Sequence, residues 1–139
     1  MIETERLLLR LPEPGDAEAV AEHISDPEVM RYIGTTGTLA DAVERIGQMR
    51  RAWDEDGFGG FVVVRRDNGD VVGRVGLLAW DPRTWHHATR REIGDDAEVE
   101  LGWTLGRAAW GQGFATEAAT AVRDWALREV RPPRRVPGG

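Results

Sequence analysis

With 139 residues, 41% of them hydrophobic and 30% charged, the chain has room for one compact domain and the balance of a soluble globular protein. No apolar run approaches the ~18–20 residues that cross a bilayer, and the acidic start Met1–Arg6 is unlike a secretory signal, so a cytoplasmic location without a membrane partner is expected. Cysteine is absent, all 18 basic residues are arginine and the net charge is −6, which excludes disulfides, thiolate metal sites, a cysteine nucleophile and a Schiff-base or P-loop lysine, and argues against a nucleic-acid partner.

In chain order, Leu7, Leu9 and Leu11 alternate with polar neighbours between Thr4 and Leu11, the pattern of a half-buried strand. After Pro12–Gly15, Asp16 is placed to cap a helix carrying Ala17, Val20, Ala21 and Ile24 on one face. Asp26-Pro27-Glu28 opens a second helix, and this is also the setting of the lone serine, Ser25, which reads as a helix start rather than a nucleophile. Thr38 with Asp41 resembles a capping box, followed by Leu39, Val43, Ile46 and Trp53 at helical spacing. The period then changes. Phe61–Val64 and Val71–Trp80 are β-rich runs joined through Asn68-Gly69, a hairpin signal. Pro82–Asp96 reads as a polar loop, Ala97–Leu105 as a strand, and Phe114–Val130 as a helix with Ala115, Ala119, Val122, Ala126 and Val130 on one stripe. The Pro- and Arg-rich segment 131–139 can neither extend that helix nor join a central strand and reads as a loose basic tail.

Between the last strand and the last helix lies Arg107-Ala108-Ala109-Trp110-Gly111-Gln112-Gly113-Phe114-Ala115, which has the makings of an anion site. Two glycines let backbone approach a ligand closely, the first amides of the helix have no intrahelical acceptor, and Arg107 can add a forked contact to phosphate oxygens. A pyrophosphate suits such a cradle. The alternative is a tight turn whose glycines only relieve backbone strain. A dinucleotide fingerprint fits poorly, because Thr116 stands where its third glycine belongs.

The string Trp110-Gly111-Gln112-Gly113-Phe114-Ala115-Thr116-Glu117-Ala118 resembles the acetyl-CoA-binding motif of the GNAT N-acetyltransferase family. That family's core places Arg or Gln three residues before the first glycine; here Ala108 holds that place and Arg107 lies one residue earlier. Glu3–Arg10 is similar to the opening strand, and Asp26–Tyr32 to the second helix, of the branch that acetylates ribosomal-protein amino termini and antibiotics. The resemblance spans Glu3 to about Val130. It implies an α+β fold, a mostly antiparallel central sheet flanked by helices, with acetyl-CoA as co-substrate. The pyrophosphate would rest on Gly111, Gln112, Gly113, Phe114 and Ala115 with Thr116 and Arg107 beside them, and the pantetheine arm along Trp103-Thr104-Leu105. The implied reaction is direct attack of a primary amine, a peptide amino terminus or small amine, on the thioester in a ternary complex.

Such a transfer needs a proton acceptor. Glu98 and Glu100 project from one face of their strand, and Glu100 in Glu100-Leu101-Gly102-Trp103 aligns with the family's strand acid as base or substrate anchor, with Glu98 in reserve. The competing reading pairs Glu100 with an arginine such as Arg74. His86 and His87 read as a solvated loop pair or an aid to proton transfer, and their adjacency does not match metal spacing, so no metal is expected. Tyr32 and Trp53 read as packing residues or an acceptor wall, and Trp110 as buried against the sheet.

Members of the family continue past the motif helix with a further strand, a helix and a closing hairpin. Against that pattern the chain divides into an incomplete acetyltransferase domain, 1–130, lacking the C-terminal strands, and the tail 131–139. The expected consequence is an exposed sheet edge, open to pairing with a second copy. A degenerate acyl-CoA-binding module, or an inactive fragment, is the alternative to an active transferase.

Overall fold

The computed structural model describes residues 1–130; segment 131–139, expected to be a basic tail, lies outside the described residues. Five strands, β1 (Ile2–Glu3), β2 (Leu7–Arg10), β3 (Gly60–Arg65), β4 (Val71–Trp80) and β5 (Glu98–Leu105), form one antiparallel sheet in that order, so β5 is an edge among the described residues. The helices are α1 (Ala17–Ile24), α2 (Pro27–Met30), α3 (Leu39–Asp56), α4 (Arg90–Ile93) and α5 (Phe114–Glu129).

Strand alternation sorts the two faces. Leu7, Leu9, Phe61, Val63, Val75, Leu77 and Leu105 share a buried cluster with Phe114, Ala118 and Val122 of α5. Trp53, Phe61 and Trp125 close that core with ring centroids 4.9 to 5.5 Å apart, and the Trp53 indole N–H donates to the Gly60 carbonyl at 2.9 Å. Trp53 is therefore a packing residue. The opposite face carries the cross-strand row Arg10, Val62, Arg74 and Thr104. A second cluster, Ala17, Val20, Ile24, Val29, Met30, Ala42 and Ile46, holds α1, α2 and α3 together.

Several local expectations change. Leu7 and Leu9 are buried, but Leu11 lies past the end of β2 and is exposed. Asp16 stands before α1 without capping it; its carboxylate takes both Arg10 nitrogens, at 2.7 and 2.8 Å, and the Glu13 amide at 2.8 Å. Burial disfavours ionisation of Asp16, but these donors outweigh it and hold the carboxyl below its usual range. The Thr38–Asp41 capping box forms, and Asp26 accepts the Glu28 amide as the cap of α2. Leu39 and Val43, however, are exposed, because the buried stripe of α3 runs through Ala42 and Ile46. The β3–β4 connection is longer than a two-residue turn: Gly69 donates to Arg65 at 2.9 Å, and of the Asn-Gly pair only Gly69 has positive φ. On α5 the fully buried residues are Phe114, Ala118 and Val122, one position off the expected stripe except at Val122.

Nor is 82–96 wholly loop. Its first half folds back onto β4, Asp81 N–H donating to the His86 carbonyl at 3.0 Å and Ala88 N–H to Ala79 at 3.3 Å, so that His87 bridges to Trp80. Its second half is α4, capped by the Thr89 hydroxyl and fixed to α3 by the Arg90 amide on Asp56 (2.9 Å) and an Arg51–Glu92 ion pair (3.1 Å). No described helix is long and apolar enough to cross a membrane.

Candidate active site

Where β5 ends, a 3-10 turn at Arg107–Ala109 carries the chain to Gly111 and Gly113, and α5 begins at Phe114. Both glycines take left-handed conformations, φ +73° and +79°, which other residues adopt at a cost of about 1–2 kcal/mol. The first backbone bond of α5 runs from the Glu117 amide to the Gly113 carbonyl, and the six amides from Gly111 to Thr116 meet no acceptor among the described residues. With the positive end of the helix dipole behind them, they suit an anion.

Beside these amides runs a groove of about 380 Å³ lined by Trp103, Thr104 and Leu105 of β5, by Trp110, Gly111 and Gly113–Thr116, and by Val29 and Ile33 across from them. Eight of the ten expected cofactor residues thus border one cleft. Gln112 and Arg107 do not. The Gln112 side chain folds back to donate to the Ala108 carbonyl at 2.9 Å and borders a second depression with Arg6, Arg65 and Arg66. The Arg107 guanidinium is committed to the Asp26 carboxylate, whose ionised form it favours. Trp110 is not buried: it is 45% exposed, held by its indole N–H on the Leu105 carbonyl at 3.0 Å.

Sequence reading missed what positions the loop. Arg6, in the β1–β2 turn, reaches Glu117 Oε1 with Nε (2.6 Å), the Gln112 carbonyl with Nη1 (2.7 Å) and lies 4.4 Å from the Phe114 ring centroid. Glu117 Oε2 also receives the Arg6 amide at 3.0 Å and the Thr4 hydroxyl at 2.5 Å. Burial opposes ionisation of Glu117, but the Thr4 and Arg6 donors prevail and hold its carboxyl below the usual range. Thr4, Arg6 and Glu117 all sit in the quoted motifs, yet 111 residues separate Arg6 from Glu117 and no local pattern joins them. His23 is a second omission. It packs so close to Gly106 that a Cβ there would lie 2.6 Å from its ring.

Glu98 and Glu100 are exposed on one face of β5, as expected. Arg74, the alternative partner of Glu100, is opposite Thr104, whereas Glu100 is opposite Leu78, about 13 Å further along at ~3.3 Å per residue. Its Nε is buried without a hydrogen-bond partner, and burial with the nearby charge of Arg45 lowers its pKa to about 10. Instead His87 Nε2 lies 3.5 Å from Glu100 Oε1. Tyr32 is 88% exposed with Arg31 against its ring, so it is not a packing residue.

The model of the acetyltransferase (GNAT) domain matches residues 6–136. The uncharacterized N-acetyltransferase p20 of Bacillus licheniformis is 30% identical over 129 residues, which cover 91% of this chain and 66% of that protein. Among solved structures, an acetyltransferase from Agrobacterium tumefaciens superposes with a TM-score of 0.73 at 28% identity, over 95% of this chain and 69% of its own. A GNAT-family acetyltransferase from Bacillus anthracis gives 0.67 at 28%, over 92% and 66%. The chain thus spans just under two thirds of the length of p20 and of the B. anthracis protein.

Proposed function

Because the chain belongs to the GNAT acetyltransferase family, we propose that it transfers an acetyl group from acetyl-CoA to a primary amine by direct attack in a ternary complex. The observation that carries this reading is the juxtaposition of six acceptor-free amides, Gly111 to Thr116, with a groove that continues along β5. A pyrophosphate fits the amides, whose left-handed glycines present no Cβ. The outward edge of β5 at Trp103–Leu105 offers backbone groups to the amide-bearing pantetheine arm, in the manner of an added strand. That placement puts the thioester toward the middle of β5, where Glu100 projects.

Glu100 then serves as proton acceptor for the attacking ammonium, or anchors it, with Glu98 in support. A peptide amino terminus or a small amine is the acceptor. Loading the protein with acetyl-CoA and a panel of such amines, and following thiol release, tests the reading: amine-dependent release supports it. Tight acetyl-CoA binding without release from any amine points to a binding module instead. No binding overturns both.

A further inference from the structure

His87 owes its position to a device separate from the phosphate loop. Residues 81–88 double back on β4: Trp85 N–H donates to Asp81 at 2.8 Å, the Asp81 amide returns to His86, and Ala88 bonds to Ala79. The turn is sealed by the Trp80 and Trp85 rings, stacked at 5.2 Å and 29°. Trp85 reaches this stack only in a left-handed conformation, φ +63°, alone among the described residues other than glycine. Such a conformation is costly for a bulky residue, and the ring stack and the fold-back hydrogen bonds offset that cost. The result sets His87 opposite Trp80, which is itself opposite Glu98 on its other side. By strand alternation Leu78, Trp80, Glu98 and Glu100 lie on the same sheet face, and His87 Nε2 meets Glu100 Oε1 there. Their side chains are 60% and 53% exposed, so a ligand can reach both.

Building on the acetyl-transfer reading, we propose that His87 and Glu100 form a proton-relay pair for the acceptor ammonium, beside the Trp80–Trp85 stack. The elements that carry the pair also bear Glu98 on β5, His86, Asp81 and Arg83 in the fold-back, and Asp96 just before β5; Arg83 pairs with Asp81 at 3.1 Å and faces Asp96 at 3.6 Å. Four carboxylates, Asp81, Asp96, Glu98 and Glu100, against Arg83 favour a cationic acceptor at this end of β5. The free oxygen of Glu100 takes one proton from R–NH3+. His87, with Nε2 3.5 Å from the other oxygen of Glu100, takes that proton on from the carboxyl and releases it to solvent. The amine nitrogen then forms its C–N bond to the acetyl carbon, the C–S bond breaks, and the thiolate takes up the second proton the nitrogen loses. The sum is amide, free thiol and one proton.

The test is the pH dependence of thiol release, with acetyl-CoA and the best amine of the panel, for the wild type, H87A, H87F, E100Q and the H87A/E100Q double variant. The pair predicts a roughly 10- to 100-fold lower kcat in H87A with unchanged KM for acetyl-CoA, a distorted pH profile, and recovery with added imidazole. H87F shows the same loss without recovery. The double variant is scarcely slower than E100Q, because the two act in series. A wild-type rate and profile in H87A, or a loss that imidazole does not restore, overturns the pair alone. Absence of amine-dependent release from the wild type overturns the acetyl-transfer reading and the pair with it.

Discussion

Arg6 Nε lies 2.6 Å from Glu117 Oε1 although the two residues stand at opposite ends of the described chain. The same guanidinium donates to the Gln112 carbonyl and stacks on Phe114, so one side chain touches the glycine loop, the first residue of α5 and its first turn. The β1–β2 turn thereby acts as a clamp on the amides proposed to hold the diphosphate. It also aims those amides: with the Gln112 carbonyl turned toward Arg6, the carbonyl dipole points away from the groove.

Breaking the clamp should cost both stability and ligand affinity. E117Q removes the charge that gathers the Thr4 and Arg6 donors, a loss of roughly 2 kcal/mol for charge-assisted hydrogen bonds. At about 4 °C per kcal/mol for a domain of this size, the thermal midpoint should fall by about 8 °C. Acetyl-CoA should bind about tenfold more weakly to E117Q and to R6A, read by calorimetry. Unchanged affinity in both variants would separate the clamp from the site.

Gly111 and Gly113 make different demands. A Cβ at Gly111 meets nothing within 4 Å, so G111A is strained by its φ alone, about 1–2 kcal/mol, with the cradle left open. A Cβ at Gly113 comes within 3.3 Å of the Arg6 guanidinium as well. G113A should therefore lose more stability than G111A in denaturant titrations, and R6A should narrow the difference.

His23 and Gly106 form a pair whose test is a mutant cycle. The imidazole leaves no room for a side chain at Gly106, so G106A should destabilise by about 1–3 kcal/mol through overpacking. In an H23A background the same substitution should cost much less, an interaction energy of at least ~1 kcal/mol. Additive effects would show that the close approach carries no energy.

Acid should unfold the protein in two stages. His23 is buried, with Nδ1 lacking a partner, and burial together with the Arg74 charge lowers its pKa below 6.5. The carboxyls of Glu117 and Asp16 fall below 4.5 and 3.8, Thr4 and Arg6 in the first case and Arg10 with the Glu13 amide in the second outweighing burial. In every case the native state binds fewer protons than the unfolded chain, so stability declines as pH falls. The His23 part is lost below about pH 6.5 as the pH approaches its native pKa, and the carboxylate part below about 4.5. Urea midpoints at pH 7.5, 5.5 and 4.0 should decline in that order, and H23Q should flatten the first interval.

Much of this architecture is legible in local chemistry. The Asp26 cap, the Thr38–Asp41 box, the strand periods of 61–64, 71–80 and 97–105, and the glycine turn before α5 are each set by neighbours a few residues apart. What could not be read depends on distant partners. Arg107 is taken by Asp26, 81 residues away, and Glu117 is gathered by Thr4 and Arg6, 113 and 111 residues away. The fold-back that carries His87 onto β4 depends on a tryptophan in a conformation that composition does not favour. The groove was legible because backbone amides make it and glycine spacing announces them; the His87–Glu100 contact was not, because its reach is set by cross-strand register.

The central claim is that the backbone amides from Gly111 to Thr116 hold the diphosphate of acetyl-CoA. An amide-resolved NMR titration with acetyl-CoA, with desulfo-CoA and adenosine 3′-phosphate 5′-diphosphate as arms, reads those six groups individually. The account predicts large, saturating shifts at Gly111 through Thr116 with all three ligands, and shifts at Trp103–Leu105 only with those bearing pantetheine. Saturable binding that leaves these amides unmoved, or no binding at all, would contradict it.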